Sequence, residues 1–383
     1  MTTHRLLLIG GGHAHVQVIR ALAERPGPNL SVTLATDRLL TPYSGMLPGH
    51  IAGFYSSAEM HIDLARLARV PDVALIQSAA SAIDRGRRQV TMQDGTSAPY
   101  DTLSLNVGVT PDLSGIAGAE RHGVAVKPIS SFLDRLAALL AAAERPDGPR
   151  RIVLVGGGAA GVELALAIGA KLRALSPSGR PLWIGLAAGG RLVATLNPGV
   201  RRRIRAALAR HDVTVMDDFR AVEISASGVQ AEDGRFIQAD AVLISTAARA
   251  PCWLQNTGLP VDAAGFVQTR PTLACVDDPS IFAVGDCATV VDDPMPKAGV
   301  FAVRQGPTLT ENLRRRVRGA ALAPHRPDPN YLSILMTGDG SAIAGRGDWL
   351  ALEGKWVWRW KDWIDRRFMS RFSEFRRSAA RSS

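Results

Sequence analysis

Two short apolar runs, each ending in a cluster of glycines, set the pattern of this chain. Leu6 to Ile9 leads into Gly10-Gly11-Gly12-His13-Ala14-His15, and Ile152 to Val155 leads into Gly156-Gly157-Gly158-Ala159-Ala160-Gly161. A continuous apolar run bounded by turn formers reads as a buried strand. The positions that follow predict a helix over Val16 to Glu24 and a second one starting at Gly161-Val162-Glu163-Leu164-Ala165. Further strands are predicted near Ser31 to Ala35 and over Leu182 to Leu186, so each glycine cluster lies inside a strand, turn, helix, strand unit. Downstream of each, another strand runs into a tight turn: Tyr100 to Pro111, which contains Gly108, and Ala239 to Pro251. The chain therefore reads as two related α/β halves, with the Pro- and charge-rich segment 142–151 as an exposed approach to the second. The longest apolar stretch, Ile152 to Ala170, is interrupted by five glycines and Glu163 and reads as the second glycine loop, not as a membrane span. Leu6 to Ile9 is too short for the core of an export signal, which makes the cytoplasm the expected compartment.

A strand that feeds directly into glycines suits a dinucleotide pyrophosphate, because backbone N–H groups and a helix N-terminus can approach it only where no Cβ intrudes. Two such loops in one chain point to electron transfer between two dinucleotides. The first departs from the usual spacing: His15 stands where the third glycine is expected, and at the end of the next strand Thr36 occupies the place of the acidic ribose reader, with Asp37 one position late. The turn-rich segment 41–49, which includes Pro42, is placed to cover a ligand ring. In the second loop Gly156, Gly158 and Gly161 are all present, but Ala187 stands where a carboxylate would favour NADH, and Arg191 is near enough to meet the extra phosphate of NADPH. The choice between the two donors stays open at this level.

The chain has 383 residues, 46% of them hydrophobic, enough for two or three globular domains. Cys252, Cys275 and Cys287 include no close pair, which excludes a redox disulfide between sequence neighbours and a zinc motif, and no cluster accompanies His13 and His15 to make a metal site. Of the net charge of +10, +6 falls in the tail, where residues 355–383 carry nine Lys or Arg against Asp362, Asp365 and Glu374. No nucleic-acid motif accompanies this charge. Five of the seven tryptophans lie between Trp349 and Trp363, and Trp356, Trp360, Ile364, Phe368 and Phe372, with Phe375 beside them, are expected to form one apolar helix face opposite Arg359, Asp362, Arg366 and Arg377. Such a helix suits a membrane surface, the protein's own core or a dimer mate.

Together with Ile281-Phe282-Ala283-Val284-Gly285-Asp286, the two loops make the chain resemble the two-dinucleotide flavoproteins, the pyridine nucleotide-disulfide oxidoreductase superfamily. That resemblance covers roughly residues 4 to 370. It implies an α/β fold with an FAD-binding domain over residues 1–115 and 255–325, an inserted NAD(P)H-binding domain over 116–254, and a C-terminal segment over 326–383. It also implies that Gly10 and Gly12 hold the FAD pyrophosphate, and that Asp286, with Gly285 among the cofactor-binding residues, receives a hydroxyl of the ribityl chain or lies beside the pyrophosphate at a helix start. Gly156, Gly158 and Gly161 would hold NADH or NADPH, with Glu163 toward the nicotinamide. Disulfide reductases of this family carry an early cysteine pair, and this chain has no cysteine before Cys252. The segment 296–306 is similar to the flavin-edge quinone segment of type II NADH dehydrogenases: Ala302, Gln305 and Gly306 agree, whereas Val300 and Arg304 replace glutamines. The first loop, segment 41–49 and the ending 358–369 resemble a group of such flavoproteins associated with selenophosphate synthetase. The activity implied is hydride transfer from NAD(P)H to FAD, then to a quinone or other small acceptor. Lys127 is a candidate cation for the flavin edge. The alternatives are a ferredoxin-type reductase, a sulfide:quinone reductase and an NAD(P)H-sensing flavoprotein.

Overall fold

The computed structural model describes residues 3–27, 29–69, 73–175, 181–246 and 248–373. Phe375 and Arg377 of the expected tail face, Glu374, and Ala247 of the second strand-turn copy lie outside these residues. Along the chain the elements that place the site are β1 (His4–Ile9), α1 (His13–Glu24), β2 (Leu30–Ala35), β3 (Val73–Ile76), β4 (Thr102–Leu105), β5 (Gly123–Ala125), β6 (Arg151–Val155), α2 (Ala159–Leu175), β7 (Trp183–Ala187), β8 (Val213–Met216), β9 (Ala241–Ile244), β10 (Ile281–Ala283), α3 (Gly299–Val317) and α4 (Lys355–Ser373).

Two five-stranded sheets of the same design carry them, in the orders β10-β4-β1-β2-β3 and β5-β9-β6-β7-β8. Every pairing in both is parallel. A parallel sheet is covered on both faces, which is why its strands are apolar runs without alternation: Leu6, Leu7, Leu8 and Ile9, like Ile152 to Val155, are all buried. Between β3 and β4 an antiparallel meander occupies residues 80–99, and between β8 and β9 its counterpart occupies 221–238. The outer strand of the first sheet, β10, arrives only after the whole second sheet has been completed. In register, Ile9 faces Ala35 and Leu105, and Val155 faces Ala187 and Ile244, so each glycine loop emerges at the carboxyl end of its sheet, where such folds bind nucleotides.

Segment 41–49 is more regular than a plain loop: Leu40–Pro42 pairs with His61–Asp63, a single turn spans Ser44–Met46, and a short helix covers Leu47–Ile51. The tail differs further from the sequence expectation. Steps of four residues advance about 40° around a helix, so the five residues from Trp356 to Phe372 drift through about 160° and spread over a broad face. Of the expected face, Phe368 is buried and Trp360 and Phe372 pack partly buried against the core, but Trp356 (54% exposed) points outward, as does Trp363 (56%), and Val357, Trp358, Lys361 and Asp365 are buried beside them. An antiparallel sheet of Ser333–Met336, Ala342–Arg346 and Leu350–Gly354 precedes α4 and packs against both α4 and α2. No helix among the described residues is long and apolar enough to cross a membrane.

Candidate functional site

The first loop is built around a residue the sequence reading passed over. Asn106, buried just beyond β4, donates its backbone N–H to Ile9 O (2.8 Å) and accepts at Oδ1 from Ala14 N (3.2 Å), and its Nδ2 donates to Val284 O (3.0 Å). One amide thus joins the first glycine loop, the β4 turn and the Gly285 turn. This also explains the glycines. Gly10 has φ +89°, and a Cβ there would lie 2.5 Å from Asn106 O; at Gly12 it would lie 2.2 Å from Asn106 Oδ1. The first turn of α1 carries no acidic residue and its N-cap, Gly12, has no side chain, so apart from the Ala14 N–H taken by Asn106 its N-terminal dipole is left to an anion.

His15 sits behind the loop rather than in front of it. Its ring is fully buried, Nδ1 donates to Gly10 O (2.7 Å), and Nε2 accepts from Ser104 Oγ (2.8 Å). This pattern fixes the neutral tautomer, and burial pushes the imidazole down to about 4. A histidine therefore braces the loop from the position where a third glycine would let helix and strand close up. Asp37 is exposed beyond β2, Pro42 pairs with His61, and Gly108 turns at φ +72° with open space beside it.

The second group lies at the Gly285–Cys287 turn. Gly285 N donates to Gln305 Oε1 (2.6 Å), and a Cβ on Gly306 would strike Gln17 Nε2, which itself donates to His13 O and Val303 O. Ala302, Gln305 and Gly306 are thus buried where α3 closes on α1 and on the turn. Lys127 Nζ reaches across from the end of β5 to Asp286 Oδ2 at 2.7 Å, pairing two residues 159 positions apart. His13 is beside them: burial pushes it down to about 4, with Asp286 pulling the other way. A cavity of about 240 Å³ runs from Asp286 and Gln305 past Phe301 to Lys297 and His325.

In the second loop, Gly156 has φ +129° and would place a Cβ 2.2 Å from Ser245 O, and Gly161 would place one 1.9 Å from Gly156 O. Gly158 differs, since nothing lies within 4 Å of its missing Cβ. Arg191 is exposed beyond β7. Glu163 turns away from the loop mouth: its Oε1 accepts from Met336 N (2.9 Å), and burial pushes its carboxyl up to about 7 against the pull of Lys361. Lys361 in turn donates to Asp365 Oδ2 and to Gly45 O, both at 2.6 Å, and Asp365 together with burial holds the Tyr43 hydroxyl well above its ordinary range. A buried polar track therefore joins α2, α4 and the Tyr43–Gly45 segment.

A family model described as pyridine nucleotide-disulphide oxidoreductase matches residues 4–310. The chain belongs to that family. Among its relatives, the demethylphylloquinone reductase NdbB of Synechocystis sp. is 24% identical over 360 residues, covering 90% of this chain and 87% of the relative. The NADH dehydrogenase-like protein YutJ of Bacillus subtilis is 24% identical over 338 residues, with 86% and 89% covered. In structure, NDH2 of Plasmodium falciparum in complex with NADH matches with a TM-score of 0.79 at 12% identity, over 98% of this chain and 99% of that one. The sulfide:quinone oxidoreductase of Aquifex aeolicus also matches with a TM-score of 0.79, at 18% identity over 97% and 92%. These two likenesses show the fold. As a member of the family the chain is an FAD-dependent NAD(P)H oxidoreductase. The residues present fit two dinucleotides: the α1 N-terminus beside Gly10 and Gly12 offers free N–H groups to a pyrophosphate, and the open face at Gly158 leaves room for a second. Cys275 and Cys287 are buried and Cys252 is exposed, and no group of metal-ligating side chains occurs among the described residues.

Proposed function

We propose that the chain oxidises NAD(P)H at the second glycine loop and passes the electrons to a quinone reached from the α4 side of the molecule. Bound FAD supplies the two-electron exchange; the protein's part is to hold the two dinucleotides, shield the site and deliver protons. The observation that carries the quinone reading is the two-sided character of α4. Outward it presents Trp356 and Trp363 among Arg359, Arg366 and Arg367, with Arg367 stacked over the Trp363 ring at 5.2 Å. Inward it grips the Tyr43–Gly45 segment through Lys361. Aromatic rings mixed with arginines suit the headgroup layer of a membrane, where a lipid-soluble quinone is found. One helix thickness, about 10 Å, then separates that layer from the segment covering the first dinucleotide site.

Reducing a quinone consumes two protons as well as two electrons, and a carboxyl pushed up to about 7 is one that changes protonation in the neutral range. Glu163 is so placed, behind Lys361 and Asp365. The name of the cyanobacterial relative, a demethylphylloquinone reductase, supports the same acceptor class. The likeness to the selenophosphate synthetase-associated group rests on the loop, segment 41–49 and the tail alone and adds nothing about the acceptor. Anaerobic NAD(P)H should bleach the flavin absorbance of the purified protein, and a short-chain ubiquinone analogue should restore it. Bleaching without recovery would sink the quinone reading. A redox-protein acceptor, suggested by the relative named as a probable ferredoxin reductase, would show instead as turnover that falls steeply with salt.

A further inference from the structure

NADH and NADPH differ by one phosphate on the adenosine ribose, and the residues around β7 discriminate between them. We propose that this chain takes NADPH, with the 2′-phosphate held between Arg191 and Arg220. The inference rests on the second glycine loop being the nicotinamide dinucleotide site.

In a strand-helix-strand nucleotide unit the pyrophosphate sits at the helix N-terminus and the adenosine ribose reaches the end of the next strand, where a carboxylate would accept from both hydroxyls and repel a phosphate. Here that strand ends in Ala187, followed by Ala188, both without exposed surface, and then by Gly189 and Gly190. Residues 183–191 contain no acidic side chain. Beside Gly190 nothing lies within 4 Å of a built Cβ, so the space is open to a ligand. Two cations border it. Arg191 follows directly in the chain and is exposed, with no ion-pair partner among the described residues. Arg220 is brought in by the fold from beyond β8: Phe219 N donates to Ala188 O (2.8 Å), and a Cβ on Gly189 would lie 3.6 Å from Arg220 Cα.

The nearby acids do not cancel this pair. Asp217 is held by Arg205 and Asp233 by Arg235, each at 2.7 Å, and Asp218 lies at the turn whose carbonyl accepts from Arg235. Among the described residues only Glu232 pairs with Arg220, at 3.9 Å with both side chains mostly in solvent, a contact a phosphate dianion would displace. Guanidinium groups match phosphate oxygens in geometry as well as in charge. The first site contrasts with this: Asp37 stands just beyond β2, an arrangement suited to a ribose that bears free hydroxyls, as FAD does.

The test is calorimetric titration of the FAD-loaded protein with 2′,5′-ADP and with 5′-ADP, which reads nucleotide binding without turnover. We expect 2′,5′-ADP to bind about tenfold tighter or more, a margin that salt erodes. Arg191→Ala and Arg220→Ala should each weaken 2′,5′-ADP about fivefold to tenfold and move 5′-ADP far less. Equal affinities in the unaltered protein, or a preference that survives both arginine substitutions, would overturn the proposal while leaving the loop as a nucleotide site. Failure of both ligands to bind would overturn the site assignment itself.

Discussion

Replacing His15 by glutamine should flatten the response of stability to acid. In the folded protein this imidazole is buried, bonded at both nitrogens and pushed down to about 4, against 6.5 in solvent. Between these values the unfolded chain binds the proton and the folded one does not, so stability rises with pH across the window and is lost as pH falls from about 6.5 toward 4. Fully below the window the loss amounts to about 3 kcal/mol; between pH ~7.5 and ~5 it is about 2 kcal/mol. His15→Gln also carries a fixed cost, because Ser104 Oγ loses its acceptor inside the core, on the order of 1–3 kcal/mol, but that cost is nearly the same at both pH values. Urea unfolding of both proteins at the two pH values isolates the titration as a double difference, in which every other ionisable group cancels. The unaltered protein should lose about 2 kcal/mol more than the variant on acidification. If the two lose the same amount, the ring exchanges protons freely in the folded state, and the picture of a neutral histidine bracing the loop is wrong.

Gly158→Val should fold and retain flavin, since nothing lies within 4 Å of the added Cβ, yet it should fail to bleach with NAD(P)H; normal bleaching would show that the nicotinamide binds elsewhere. Asn106→Leu should lower the ratio of flavin to protein absorbance in the purified protein, because two buried hydrogen bonds worth about 1–3 kcal/mol each disappear and the Ala14 N–H and Val284 carbonyl lose their partner. Asp286→Ala should lose flavin as well, and full retention would remove Asp286 from the site. Glu163→Gln should act with the opposite sign to His15. Its raised carboxyl gives stability below about 4.5 that is lost as pH rises through about 7, so the variant should gain on the unaltered protein by about 3 kcal/mol between those values, read by urea unfolding.

Much of the fold was legible because its signals are local. A positive φ at Gly10 and Gly156, a carbonyl against each missing Cβ, and strands buried on both faces leave marks at fixed spacing in the sequence. What was not legible depends on partners far along the chain. Asn106 reads as one residue of a turn until Ala14 and Val284 are brought to it from 92 and 178 positions away. Glu163 fits a nucleotide-loop pattern, but its acceptor bond is with Met336, in a sheet whose position the pattern does not carry. In the tail, apolar spacing found Trp360, Phe368 and Phe372 but put Trp356 on the buried face and missed Lys361 and Asp365, because the fold buries that ion pair and gives it a third partner in Gly45 O. An ion pair so satisfied can lie inward on a helix, whereas a hydropathy pattern always sends it outward.

The duplicated sheet also presents its two glycine loops to different surroundings. At the first loop the glycines are enclosed: a Cβ on Gly11 would meet Leu64 and Thr41 Oγ1, Gly12 meets Asn106, and His15 closes the loop from behind, with α3 packed along α1. At the second, Gly158, Ala159 and Ala160 are exposed, and both Gly158 and Gly190 face open space. Gly156 and Gly157 are backed as closely, by Ser245 O and Ala188, so the difference between the loops lies at Gly158 and Gly190. Under the proposed function the open side of the second loop suits a donor that binds and leaves in each turnover, and that openness comes from what is packed around the loop, not from the loop itself.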